Sequence, residues 1–263
     1  MLEHALRPRA LVALAGLALA ALVITACGAC GASAPAGGAP AAAYAPGTAP
    51  LAARPDQTTN EPTRLKLHVP GRSPAYLPWY IALERGYFGE QNLAVELVEL
   101  PAAAGLQALG AGQVDLSGAG SQALPTIAKG APVKIIFVAG TADLQGAVAV
   151  GESLRARPVA LAGLAIAAVK GARVMAADAA TSREVLVKYA GGDSDAAARG
   201  LDVMRPLLAK DGILSETEQR QALAALKAAG EVGEDLEPSQ VFDFGPLEEA
   251  ARLVDGSDWR VRT

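Results

Sequence analysis

The chain predicts an α/β fold: a mainly parallel sheet with helices on both faces, then a helical C-terminal third. Three observations predict it. Short β-rich apolar runs alternate with segments of helical periodicity between Leu65 and Ala139. Gly and Pro clusters separate these segments. From Ser182 onward, apolar residues recur at helical spacing.

Taken in order, Leu65 to Val69 is the first strand, broken by Pro70, Gly71, Ser73 and Pro74. Tyr76 to Arg85 is the first helix, with Leu77, Tyr80, Ile81, Leu83 and Tyr87 near helical spacing. Pro78 is tolerated early because the first helical amides lack an intrahelical partner. Gly86 and Gly89 supply the stop. Leu93 to Leu100 is a second strand, Ala104 to Gly112 a helix, and Val114 to Ser117 a short third strand. Ser121 to Lys129 is a helix and Val133 to Ala139 a fourth strand. Later helices run from Ser182 to Tyr189, Asp195 to Leu208 and Pro246 to Leu253. Another starts at the capping box Ser215-Glu216-Thr217-Glu218 and runs to Ala229.

The N-terminus reads as targeting sequence. Residues 1–26 combine Arg7 and Arg9 with the uncharged apolar run Ala10 to Ile24, too short for a membrane span of about 20 residues. Ile24-Thr25-Ala26-Cys27 resembles a bacterial lipobox, which implies cleavage before Cys27 and a lipid on that thiol. An ordinary secretory signal cut elsewhere is the alternative. Residues 27–63 are rich in Ala, Gly and Pro and bury too little to offset ordering, so a flexible tether is expected.

Composition excludes several function classes. The formal net charge is −4 and no basic patch is evident, which argues against nucleic acid. Cys27 and Cys30 are the only cysteines, so no structural disulfide and no cysteine-rich metal site is expected. His4 and His68 lie far apart, and one histidine in the folded body leaves no Ser-His-Asp set. The pairs Glu216/Glu218 and Glu248/Glu249 fall on solvated helix faces. No cofactor is expected, and the chain does not read as an enzyme.

Pro78, Tyr80, Ala82, Gly86, Tyr87, Phe88 and the strand Leu93 to Leu97 carry a family pattern, continued through Ala111 to Gly140. It resembles the substrate-binding proteins of ABC importers for nitrate, sulfonates, taurine and thiamine precursors. The resemblance implies a periplasmic-binding-protein type II-like lobe and a small-molecule solute. It further implies a membrane permease as partner, an extracytoplasmic location and a monomer. A thiamine-pyrimidine synthase in the same fold family uses a cysteine-rich iron motif that this body lacks.

Open parallel sheets bind ligands at the carboxyl ends of their strands. That rule selects four loops: Pro70 to Tyr76, Pro101 to Gly105, Gly118 to Gln122, and Gly140 with Thr141. The candidate ligand-binding residues are Arg72, Ser73, Tyr76, Gly118, Gly120, Ser121, Gln122 and Thr141. Free amides at the helix start and the Ser121 hydroxyl can receive an anionic or polar head group. The competing reading is a tight turn with Ser121 as N-cap. Arg72 can pair with a sulfonate, nitrate or carboxylate, or be a solvated loop arginine. Tyr76 and Trp79 can wall a ligand or belong to the core.

The pattern departs from the family beyond residue 150. Members have two α/β lobes, with the ligand between them. Here the crossing is expected near Gly146 to Gly151, and Ala160 to Val169 looks like a weak opening strand of a second lobe. The expected organisation is residues 64–150 as the first lobe, 151–181 as a reduced second-lobe stub and 182–263 as helices packed on the first lobe. The alternative to a solute binder is a lipid-anchored interaction module, or a remnant without solute binding.

Overall fold

A computed structural model describes residues 61–261 apart from 191, 192 and 234. The export signal, Cys27 and most of the tether lie outside the described residues. Five strands form one sheet: β1 (Thr63–Val69), β2 (Leu93–Glu99), β3 (Leu116–Ser117), β4 (Lys134–Phe137) and β5 (Val148–Val150). Their order is β2-β1-β3-β5-β4. β1 pairs in parallel with β2 and β3, while β5 runs antiparallel between β3 and β4. β4 therefore points the same way as the first three, and the sheet is mainly parallel.

The first half follows the predicted alternation closely. α1 (Leu77–Glu84) is entered through a 3-10 turn at Pro74–Tyr76, and α2 (Ala102–Gly110) and α3 (Leu124–Ala128) follow β2 and β3. α1 is buried nearly all round, from Leu77 to Ala82. Trp79 stacks on Phe88 at 6.3 Å and meets the edge of Phe137 at 5.1 Å, so it belongs to the core and walls no cleft.

Strand β5 corrects the sequence reading. Residues 146–151 were expected to carry the chain across to a second lobe. Instead Gly146, at φ 63°, helps reverse it, and the fully buried Val148, Ala149 and Val150 return along β4. The apolar triplet reads equally as strand or as helix, and only the space between β3 and β4 decides.

Residues 151–181 are helical. They form α4 (Glu152–Arg155), α5 (Pro158–Ala177) and the first turn of α6 (Ala179–Ala190). The strand expected at Ala160 to Val169 is the interior of α5. Its alanine-rich run suits a helix, and the face that includes Leu164, Ala168 and Gly171 packs on α1. A Cβ on Gly171 would overlap the Pro78 carbonyl, so only glycine permits this approach. α5 is long and apolar enough to cross a membrane, but 72% of its most apolar window is buried inside the fold, as for a core helix. Its buried Lys170 binds Glu90 at 2.6 Å and lies over the rings of Tyr87 and Trp259.

The C-terminal third is helical, as expected: α7 (Ser194–Met204), α8 (Glu216–Ala228), α9 (Pro238–Val241) and α10 (Gly245–Asp255). Both bonds of the Ser215/Glu218 capping box are formed. α10 packs on α5, and Phe242 bridges Ile135 of β4 in parallel.

Candidate functional site

The carboxyl ends of β1 to β4 share one edge of the sheet, and all eight candidate residues lie in loops along it. The structure brings some of them together in pairs. Tyr76 is buried, and its hydroxyl donates to the Gly118 carbonyl at 2.8 Å. A Cβ on Gly118 would lie 2.6 Å from the Tyr76 ring, so the contact needs glycine there. Burial, helped by the nearby Tyr80, pushes the Tyr76 hydroxyl up to about 12.

The other candidates are held by structural partners. The Ser73 hydroxyl accepts from the Ala75 amide at 3.3 Å and caps the 3-10 turn. Arg72 Nε donates to Glu99 at 3.2 Å, with both side chains more than half exposed, so this pair adds little stability. Thr141 donates its amide to the Leu207 carbonyl at 2.8 Å and its hydroxyl to the same oxygen at 3.3 Å.

The Gly118 to Gln122 loop differs from its expected chemistry. Gly118 N–H donates to the His68 carbonyl, Gly120 N–H to Ala147 and Gln122 N–H to Ala119. Ala119 N–H donates to Ser117 Oγ. These amides are engaged within the protein, and the helix they open is a three-residue 3-10 turn. Ser121 does not cap it, since Gly120 occupies the N-cap and no side chain bonds there. Gln122 is exposed.

The sequence gave no sign of His68, which holds this edge together. It is fully buried, with Nδ1 2.8 Å from Ser117 Oγ and Nε2 2.9 Å from the Leu100 carbonyl. A carbonyl only accepts, so Nε2 carries the proton and Nδ1 accepts from the Ser117 hydroxyl. One neutral imidazole thus ties β1 to β3 and to the end of β2. Gly105 makes room for the ring, because a Cβ there would overlap it. A polar residue flanked by Leu67 and Val69 was the available signal.

Two cavities lie outside the candidate loops. One, of about 1080 Å³, is an open groove at the amino ends of β1 and β2, lined by Arg64, Lys66, Glu96 and Asp115 among others. The second, of about 460 Å³, lies beyond the carboxyl end of β4, between the last turns of α5 and residues 205–211. Neither contains any of the eight candidate residues. Among the described residues, no group of three or more His, Cys, Asp or Glu is placed to hold a metal ion.

A family model described as NMT1/THI5 like matches residues 73–205, and the chain belongs to that family. A protein from Bordetella bronchiseptica RB50 aligns with a TM-score of 0.61 at 12% identity, covering 73% of this chain and 98% of that one. A zinc-bound ligand-binding component of an ABC-type import system from Staphylococcus aureus gives 0.57 at 10%, covering 72% and 99%. The periplasmic aliphatic sulphonate binding protein SsuA from Escherichia coli gives 0.51 at 14%, covering 70% and 92%. At such identities these likenesses show the fold, that of the periplasmic binding proteins. No curated protein matches.

Proposed function

We propose that this chain is an extracytoplasmic solute-binding component of an ABC importer, which hands a small solute to a membrane permease without covalent chemistry. The observation that carries the reading is the family match over residues 73–205, on a chain with the fold of known importer components. The solute class proposed is that of nitrate, sulfonates, taurine and thiamine precursors. Arg72, Ser73, Tyr76, Gly118, Gly120, Ser121, Gln122 and Thr141 would bind it at the carboxyl edge of the sheet. A lipid on Cys27 would hold the protein, as a monomer, at the outer face of the membrane. Residues 151–181 take the place in the chain of the family's second lobe, so the solute would be gripped from one side.

One observation favours a second reading. The loop amides at the carboxyl edge are engaged internally, which suits a lipid-anchored module that docks to a membrane partner. Thermal unfolding of the full chain against nitrate, taurine, alkyl sulfonates, bicarbonate and thiamine pyrimidines separates the two. A ligand bound only by the folded state adds about 2.7 kcal/mol at a hundredfold excess over its dissociation constant. The importer reading expects one compound to raise the transition, and Arg72→Gln to reduce that rise. A cooperative transition that no compound moves would favour the docking module.

A further inference from the structure

The cavity beyond β4 carries an arginine that the fold does not use. Arg205 lines it, and its Nε and Nη2 atoms are buried without any hydrogen-bond partner. These two nitrogens form one edge of the guanidinium fork, the edge that grips a carboxylate with two parallel bonds. The same cavity shows that grip already made. Arg173 uses its own Nε and Nη2 to hold the two carboxylate oxygens of Asp211, at 2.7 and 3.0 Å. Asp211 is thereby satisfied, and Arg173 also reaches Asp255 at 2.7 Å. Of the four charged residues that line the cavity, three are cationic: Arg173, Arg205 and Lys210.

A buried guanidinium edge without a partner is costly, and such groups normally find one. The remaining wall is largely apolar, with Phe137, Met175, Leu208 and Val261. The volume, about 460 Å³, falls within the range of about 300–1,000 Å³ typical of small-molecule sites. We infer that this cavity is a binding site for a small organic anion, whose carboxylate or sulfonate head is forked by Arg205 and whose apolar body lies against Phe137 and Leu208. The inference does not depend on the importer reading, because the cavity contains none of the loop residues assigned to the solute there.

Calorimetric titration of the full chain with sodium octanoate, sodium octanesulfonate and octanol tests it. Octanoate or octanesulfonate should bind, and octanol at least about tenfold more weakly, as expected when a charge-assisted contact is missing. Arg205→Gln should weaken the anion about ten- to hundredfold, and Arg205→Lys, which keeps charge but loses the fork, by less. Ala176→Phe keeps the arginine but fills the rim of the cavity, and should also abolish binding. Arg72→Gln should leave the affinity unchanged. Equal affinity for octanol and octanoate, an unaltered affinity in Arg205→Gln or Ala176→Phe, or no binding by the parent chain would each overturn the proposal. Loss of binding in Arg72→Gln alone would move the anion to the loops and support the importer reading in its place.

Discussion

Tyr76 shows how one side chain can belong to the candidate edge and still be structural. Its hydroxyl closes the β1 loop onto the β3 loop through Gly118, and burial holds that hydroxyl protonated up to about pH 12. The ordinary tyrosine value is about 10. Because the folded value is the higher one, the stabilisation is complete below pH 10 and is lost as pH rises from about 10 through 12. Tyr76→Phe should cost about 1 kcal/mol at neutral pH, for one lost hydrogen bond. It should also be less sensitive than the parent between pH 10 and 12. Urea midpoints measured at pH 8 and pH 11.5 check both points, and an equal alkaline loss in parent and variant would refute the assignment. The pairing of Tyr76 with Gly118 was not legible in the sequence, since 42 positions separate the two. Nor was the fate of Arg72, whose partner Glu99 becomes its neighbour only when β1 and β2 lie side by side.

Single elements were legible where local chemistry decides them. The Ser215 box announced α8 because its bonds join residues three apart, and Glu218, bound by the Ser215 hydroxyl and amide, is held below the usual carboxylate range. The boundary between α5 and α6 gave a weaker sign. Asp178 accepts from the Thr181 amide at 3.0 Å and from the Thr181 hydroxyl, so it ends one long helix and caps the next. Those bonds, the hydroxyl's first, hold its carboxyl below the usual range, and Arg85 assists from 3.8 Å. With the folded value the lower one, this stabilisation is present above about pH 4 and is lost as pH falls through it. Asp178→Ala should cost about 0.5–2 kcal/mol at pH 7, the usual range for a lost N-cap. The difference from the parent should shrink toward pH 3. A pH-independent difference in urea midpoint would mean that the carboxylate charge contributes nothing.

At the scale of the whole molecule, the first five elements were legible because strand and helix alternate within short reach, whereas β5 and α5 were not. Both are apolar enough to suit either state, and their form is set by partners: β3 and β4 around the strand, α1 and α10 around the helix. The C-terminal segment closes this arrangement from the far end of the chain. Phe242 bridges Ile135, Asp243 donates its amide to the Ile135 carbonyl, and α10 lies on α5. Val241, Phe242, Phe244, Leu247 and Val254 are all buried there. Their burial contributes on the order of 7 kcal/mol even at the low end for large apolar side chains. Native domains hold only about 5–15 kcal/mol in total. A chain ending at Glu237 should therefore lose its cooperative thermal transition and bind a dye specific for exposed apolar surface. If the shortened chain instead melted cooperatively near the parent's temperature, α9 and α10 would be a peripheral addition, and the sheet with α1 and α5 would be the self-sufficient unit.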